Sequence, residues 1–242
     1  MPYYSYYYGF DWTYLILVLP CLILSLWASA RVNSTFKKYS QQISRRQITG
    51  AQAAQRVLQA NGVYGVRIEH VSGNLTDHFD PKTNVIRLSD NVYNNTSTAA
   101  IGVACHEAGH AVQYAQDYFP IKIRTAIIPI TNFGSRLAMP LILLGLLFST
   151  VGNLSDTLVY LGIACFALSL IFQLVTLPVE FNASQRALEA IESGQLLSED
   201  ELRGARKTLS AAAMTYVAAT AVSLAQLLRL ITIFGGRGRR RD

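Results

Sequence analysis

At 242 residues, 51% hydrophobic and only 15% charged, with a mean hydropathy of +0.25, the chain is too apolar for an ordinary soluble domain and reads as a membrane protein. Its net charge of +6 would point a soluble protein toward nucleic acid, but the basic residues cluster beside apolar segments, so they orient the chain in a bilayer instead. Three cysteines, an odd number, exclude a disulfide framework.

The chain opens on Tyr3, Tyr4, Tyr6, Tyr7, Tyr8 and Phe10, amphipathic rings that favour the membrane interface. From Trp12 to Ala30 it is apolar and long enough to span. It has no basic leader before the apolar run, so we read it as a retained first span and not as a cleaved signal peptide. Arg31, Lys37, Lys38, Arg45 and Arg46 follow directly, and positive charge this close to a span prefers the cytoplasmic side. The amino terminus is then expected outside.

Thr49 caps an amphipathic helix running through Gln59 and stopped by Asn61-Gly62. Residues 66–71 and 84–88 alternate apolar and polar as half-buried strands do, and Asp77 to Asn84 between them has turn chemistry. This predicts a small antiparallel sheet. Ser97 then caps a helix of small and apolar residues reaching Gln116.

That helix carries His106-Glu107-Ala108-Gly109-His110, a match to H-E-x-x-H. Residues four apart share one helix face, so His106 and His110 can hold one metal ion while Glu107 flanks it as a base toward water. Cys105 points about 100° away from His106 and is not expected to join. A catalytic zinc takes three protein ligands, and no histidine follows His110. A carboxylate is therefore the expected third partner.

Beyond Asp117 and Pro120, residues 124–136 are mixed sequence suited to the interface, and 137–151 are strongly apolar despite Pro140 and are expected to extend backward to span. Residues 152–156 read as a polar turn without basic residues, on the outside, before the clearest span, Thr157 to Pro178. This returns the chain to the cytoplasmic side at Glu180, with Glu189 and Glu192 as further carboxylates. A helix over 180–192 ends at Ser193-Gly194, Ser198 to Glu201 form a capping box for another, and 211–234 are apolar before a basic tail at 237–241. Whether 211–234 spans or lies at the interface stays open.

The expected fold class is thus a predominantly α-helical multi-pass membrane protein with a small α+β zincin-like catalytic region carrying the H-E-x-x-H helix. We divide it into a first span with aromatic amino terminus (1–30), a catalytic region on the cytoplasmic side (31–125), paired spans (126–178), a second catalytic segment (179–209) and an apolar helix with basic tail (210–242).

The whole arrangement, from the strand before the motif through the paired apolar segments to Glu180, resembles the bacterial membrane-bound zinc metallopeptidases of the YugP type, which are distantly similar to the HtpX and Ste24 proteases. The resemblance implies a gluzincin with one Zn2+ per chain, ligands His106, His110 and Glu180, and Glu107 as the catalytic carboxylate. In the HtpX and Ste24 families the third ligand begins an E-x-x-A-D pattern. Here Glu180-Phe181-Asn182-Ala183-Ser184 keeps the glutamate and alanine but has Ser184 in the aspartate position, one helical turn on and able to accept a weaker bond from a ligating histidine.

The function that follows is a membrane-embedded metalloendopeptidase. It would act at the cytoplasmic face on unfolded or membrane-proximal protein segments, without nucleic acid, by a zinc-activated water with Glu107 as general base. His78 and Arg186 are candidates by residue type for steadying the oxyanion, with a turn role and an acidic partner as their respective alternatives. The strand over 84–88 is expected to offer an open edge to an extended substrate. An intramembrane protease is disfavoured by the polar approach to the motif helix and the absence of a later aspartate in an apolar segment. A zinc-binding scaffold or regulator without hydrolytic activity is the alternative from another class, disfavoured by the intact Glu107.

Overall fold

The structure, a computed structural model, describes residues 11–149 and 153–235. The aromatic cluster Tyr3 to Phe10, Gly152 and the basic tail lie outside the described residues. The chain separates into two compact units. One gathers Ala28–Ala126 and Val175–Tyr216; the other gathers the described residues up to Trp27, Ile127–Leu174, and the described residues from Val217.

The first unit holds α2 (Gly50–Ala60), β1 (Arg67–His70), β2 (His78–Asp80), β3 (Val85–Leu88) and α3 (Thr98–Ala115). Helix α2 begins where the sequence places it: the Gln52 N–H donates to Thr49 Oγ1 at 3.2 Å and the Thr49 N–H to Gln52 Oε1 at 3.0 Å. It ends at Asn61, and Gly62 turns the chain with φ 67°. Leu58, Val57, Ile101, Ala104, Cys105 and Ile191 pack into one core around α3, which is buried nearly all round. Small residues permit that burial: a Cβ on Gly102 would meet the Ala205 Cβ at 3.2 Å.

The sheet is mixed, in the order β1-β3-β2, and this corrects the expected antiparallel pair. Strands β1 and β3 are parallel, Arg67 opposite Val85 and His70 opposite Leu88, because the stretch read as a turn contains β2, which takes the return direction. The hairpin proper is β2–β3, turning at Asp80, whose carboxylate accepts from the Lys82 N–H at 3.0 Å and the Thr83 hydroxyl at 2.7 Å. A second correction follows. Strand β3 is central and fully buried at Val85, Ile86 and Leu88, so it has no open edge; the edges belong to β1 and β2.

Among the described residues four helices are long and apolar enough to cross a membrane: Tyr14–Tyr39, a π-helical turn followed by α1 (Leu19–Tyr39); α4 (Phe119–Leu147); α5 (Asn153–Ser193); and α6 (Glu199–Phe234). Two of them, α4 and α5, differ from the sequence reading. Helix α4 takes in residues 124–136 without a break, with Pro129 and Pro140 inside it. Residues 153–156 are its successor's first turn and not a loop, and α5 runs through Pro178 to Ser193. Each proline leaves the carbonyl four residues earlier, of Thr125 and Arg136, without its helical donor, an interruption that apolar helices tolerate.

Within the second unit, α4 and α5 approach at small residues: a Cβ on Gly145 would stand 2.8 Å from the Ser155 carbonyl, and one on Gly162 2.8 Å from that of Ala138. Ser155 Oγ donates to Gly145 O at 2.7 Å, Tyr160 Oη to Phe234 O at 3.3 Å, and Arg229 Nε to Asp11 Oδ2 at 2.9 Å. The start of the first helix, the facing ends of α4 and α5, and the end of α6 therefore gather at one end of this unit. Large apolar side chains such as Ile16, Phe133, Leu143 and Leu147 face outward from it.

Candidate metal centre

Helix α3 presents His106 and His110 on one face, rings edge to face with centroids 4.6 Å apart, and α5 brings Glu180 to them. Glu180 Oε2 lies 3.3 Å from His106 Nε2 and 3.6 Å from His110 Nε2. His110 and Glu180 are buried and His106 is nearly so.

What sits between three such atoms depends on where the imidazole protons are, and the surrounding bonds decide that for His110. Arg186 Nε, which can only donate, gives to Asn182 Oδ1 at 2.8 Å. Asn182 Oδ1 therefore faces the Gln113 Nε2 amide as an acceptor, at 2.9 Å, while the second Gln113 N–H goes to Val179 O at 2.9 Å. Only Gln113 Oε1 remains, 3.0 Å from His110 Nδ1, so a proton sits on Nδ1 and, in the neutral ring, the lone pair is on Nε2. The Ser184 hydroxyl, 3.1 Å from His106 Nδ1, is able to accept a proton from that ring in the same way. Two nitrogen lone pairs and a carboxylate oxygen that is buried without a hydrogen bond then converge. Together they repel one another, and a cation at the centre resolves it. The donor set, two histidines and a glutamate, is one that zinc accepts with a position left for water.

Glu107, on the same helix, is buried, and burial pushes its carboxyl up to about 7; neighbouring Glu180 and Asp77 add to the rise, against the pull of His106 and of a hydrogen bond from the Phe79 N–H of β2. Asp77, which anchors β3 through the Ser89 N–H at 2.7 Å, is itself raised by burial.

A family model described as "Putative neutral zinc metallopeptidase" matches residues 14–235. The chain belongs to this metallopeptidase family. It is also 47% identical, over 91% of its own length and 96% of the relative's, to "Putative membrane protease YugP" of Bacillus subtilis (strain 168). No solved structure matches the chain.

In this family member the histidines have partners that the sequence showed only in part. Ser184 could be found from its place one turn beyond Glu180, and Gln113 offered the same kind of signal, three residues past His110, but was not singled out. Arg124, with Nη1 3.2 Å from Glu180 Oε1, and Tyr216, close enough to Glu180 to feel its charge, gave no local signal at all. Other candidates stand apart. Arg186 binds amide oxygens, those of Asn182 and, at 2.6 Å, Gln116, and not the acidic group expected of it. His78 is an exposed strand residue with Nδ1 on Thr76 O at 2.8 Å. Among the described residues the one potential metal cluster is His106, His110 and Glu180; Cys105, buried and with its thiol pushed well up by burial, does not belong to it, nor do Glu189 and Glu192.

Proposed function

We propose that the chain is a membrane zinc endopeptidase in which His106, His110 and Glu180 hold one Zn2+ and Glu107 moves the protons. The observation that carries this reading is the convergence of two lone-pair nitrogens and an unsatisfied carboxylate oxygen beside a second carboxyl poised near neutrality. Zinc bound there supplies Lewis acidity, polarising a peptide carbonyl and acidifying water. Glu107 takes the proton released as water attacks and hands it to the departing amine as the C–N bond breaks; a group titrating near the working pH serves both transfers. Ser184 and Gln113 hold the two imidazoles in the tautomer that keeps Nε2 free.

Substrate alignment falls to β2 in place of β3. It is an edge strand, and its Phe79 N–H reaches Glu107, so an extended segment pairing along it passes the proton-transfer group. A compact domain has no free strand to offer, which favours unfolded or membrane-proximal segments, a reading supported by the membrane protease relative. The basic residues Arg31, Lys37 and Lys38 in α1 support a cytoplasmic placement of this chemistry at the cell membrane.

The test uses the full chain purified in detergent, with zinc measured per chain and an unstructured protein as substrate. Cleavage with about one zinc per chain, lost in Glu107→Gln while zinc is retained, is the expected result. Zinc without cleavage in the parent would support the scaffold reading instead, and parental cleavage by Glu107→Gln would overturn the assignment of the base.

A further inference from the structure

Glu180 has two oxygens in different surroundings. Oε2 faces both histidines and accepts no hydrogen bond, whereas Oε1 faces Arg124 Nη1 at 3.2 Å. Tyr216 approaches the same carboxylate closely enough to feel its charge. Arg124 comes from α4 and Tyr216 from α6, so the side chain is approached from two helices besides its own.

Arg124 has little other purpose in this setting. It lies near the start of α4 with its side chain about three-quarters buried and Nε buried without an acceptor, unlike nearby Lys122, which pairs with the exposed Asp117. Among the described residues Glu180 is the carboxylate it meets. A guanidinium brought into such surroundings costs desolvation that only a nearby anion offsets, and a buried carboxylate has the same need of a cation.

We infer that Arg124, assisted by Tyr216, is a positioning residue that makes Glu180 a one-oxygen metal ligand, engaging Oε1 so that Oε2 alone is presented between His106 and His110. The inference rests on the ligand set proposed above. Without Arg124 the carboxylate is free to turn about its terminal torsion, which is broad, and to offer both oxygens or neither. The site then binds metal more weakly and with altered coordination.

The experiment measures zinc dissociation constants by competition with a chromophoric chelator, and the visible absorption of the Co2+-substituted protein, for the full chain in detergent. Arg124→Met and Arg124→Gln are expected to weaken zinc by about 10–100-fold, as loss of a partner behind a ligand typically does, and to change cobalt band positions and intensity. Arg124→Lys, which keeps the charge but not the planar fork, should recover part of the affinity. Should the neutral variants fail to fold, Arg124→Lys and Tyr216→Phe carry the test, each expected to shift affinity and spectrum by a smaller amount. Parental affinity and spectrum in the folded Arg124 variants, alongside loss of metal in Glu180→Ala, would overturn the positioning role and leave the ligand set standing. Retention of metal in Glu180→Ala would remove the ligand assignment itself, and this inference with it.

Discussion

Gly109 lies against Ala183 so closely that a Cβ added to it would stand 2.7 Å from the Ala183 carbonyl oxygen. The contact joins the residue before His110 to the one directly before Ser184, and it is backbone on the receiving side. Gly109→Ala is expected to force α3 and α5 apart, costing about 1–3 kcal/mol as overpacking of a filled core does, and to weaken zinc binding. Thermal unfolding and zinc content of the purified variant check both, and parental values for both would mean the helices tolerate the separation.

Glu107 supplies a prediction about stability with a definite sign. Its carboxyl sits at about 7 in the fold against an ordinary 4.5, so the folded chain binds this proton more tightly than the unfolded one. The metal-free protein therefore keeps its full stability from this group below about 4.5 and loses it as pH rises toward 7, by ~3 kcal/mol in total. Glu107→Gln, which never ionises, should unfold at a higher temperature than the parent at pH 8 without metal, with the advantage gone near pH 4.5. An equal difference at both pH values would contradict the assigned burial effect.

In the proposed cleavage the same group is the base, active when ionised. The rate is expected to climb with pH along a limb whose midpoint lies below about 7 in the zinc-loaded protein, because a nearby cation favours the carboxylate. Glu107→Gln should lower kcat by at least ~10²–10⁴-fold. A pH-independent rate between 5 and 8 would point to a different proton acceptor.

Ser184 stands 3.1 Å from His106 Nδ1, in the position where related proteases carry aspartate. Ser184→Asp is expected to raise the basicity of His106 and tighten zinc, and Ser184→Ala to weaken it, by about 10-fold or more. Competition against a chelator measures the order, which should run aspartate, serine, alanine from tightest to weakest.

The chain of bonds from Arg186 through Asn182 and Gln113 makes a matching case for His110. Gln113→Leu leaves the buried Nδ1–H without an acceptor and is expected to cost about 1–3 kcal/mol and to lower zinc affinity. Arg186→Met, two bonds removed, should act in the same direction and more weakly, since it only frees the Asn182 amide to turn over. Nitrogen-15 shifts of the His110 ring would register the change of tautomer directly, and an unmoved Nδ1 proton in Gln113→Leu would show that the network does not set it.

The ion pair between Asp11 and Arg229, with the Tyr160 hydroxyl on the Phe234 carbonyl, places the beginning of the first helix and the end of α6 together. All four long helices are then expected to cross. Single cysteines at Thr13, Asn153 and Gly235 should react with an impermeant reagent from outside and one at Lys38 from inside, in a background without native cysteines. Labelling of positions 13 and 235 from opposite sides would mean α6 does not span.

The parts of the site legible in the sequence are those whose partners are one helical turn apart. His106 with His110 follows from spacing on a single helix, and Ser184 behind Glu180 from the resemblance together with its place one turn on. Arg124 and Tyr216 meet Glu180 from helices far away in the chain, and their neighbours carry no mark of the contact. Among the strands, Val85 to Leu88 stood out by its apolar run, whereas His78-Phe79-Asp80 holds one apolar residue between two polar ones and is too short to show alternation. Missing it reversed the direction of one pairing and misplaced the open edge. Caps were legible wherever the bond is local, as at Thr49 and Ser97. At Ser198 the sequence told only half, because Glu201, which accepts from the Ser198 N–H at 2.9 Å, also accepts from the Arg45 N–H at 2.8 Å.

Two membrane-length helices lie between His110 and Glu180 in the chain, α4 and most of α5, and this governs when the protein becomes dangerous to its surroundings. A chain emerging from the ribosome exposes its two histidines and Glu107 well before the third proposed ligand has been made, and Tyr216 comes later still. At about 5–20 residues per second, seconds pass in which the nascent chain can place two ligands and no more. On the proposed ligand set, hydrolytic capacity is then expected only after α4 and most of α5 have been made, so completion of these two helices acts as the activation step.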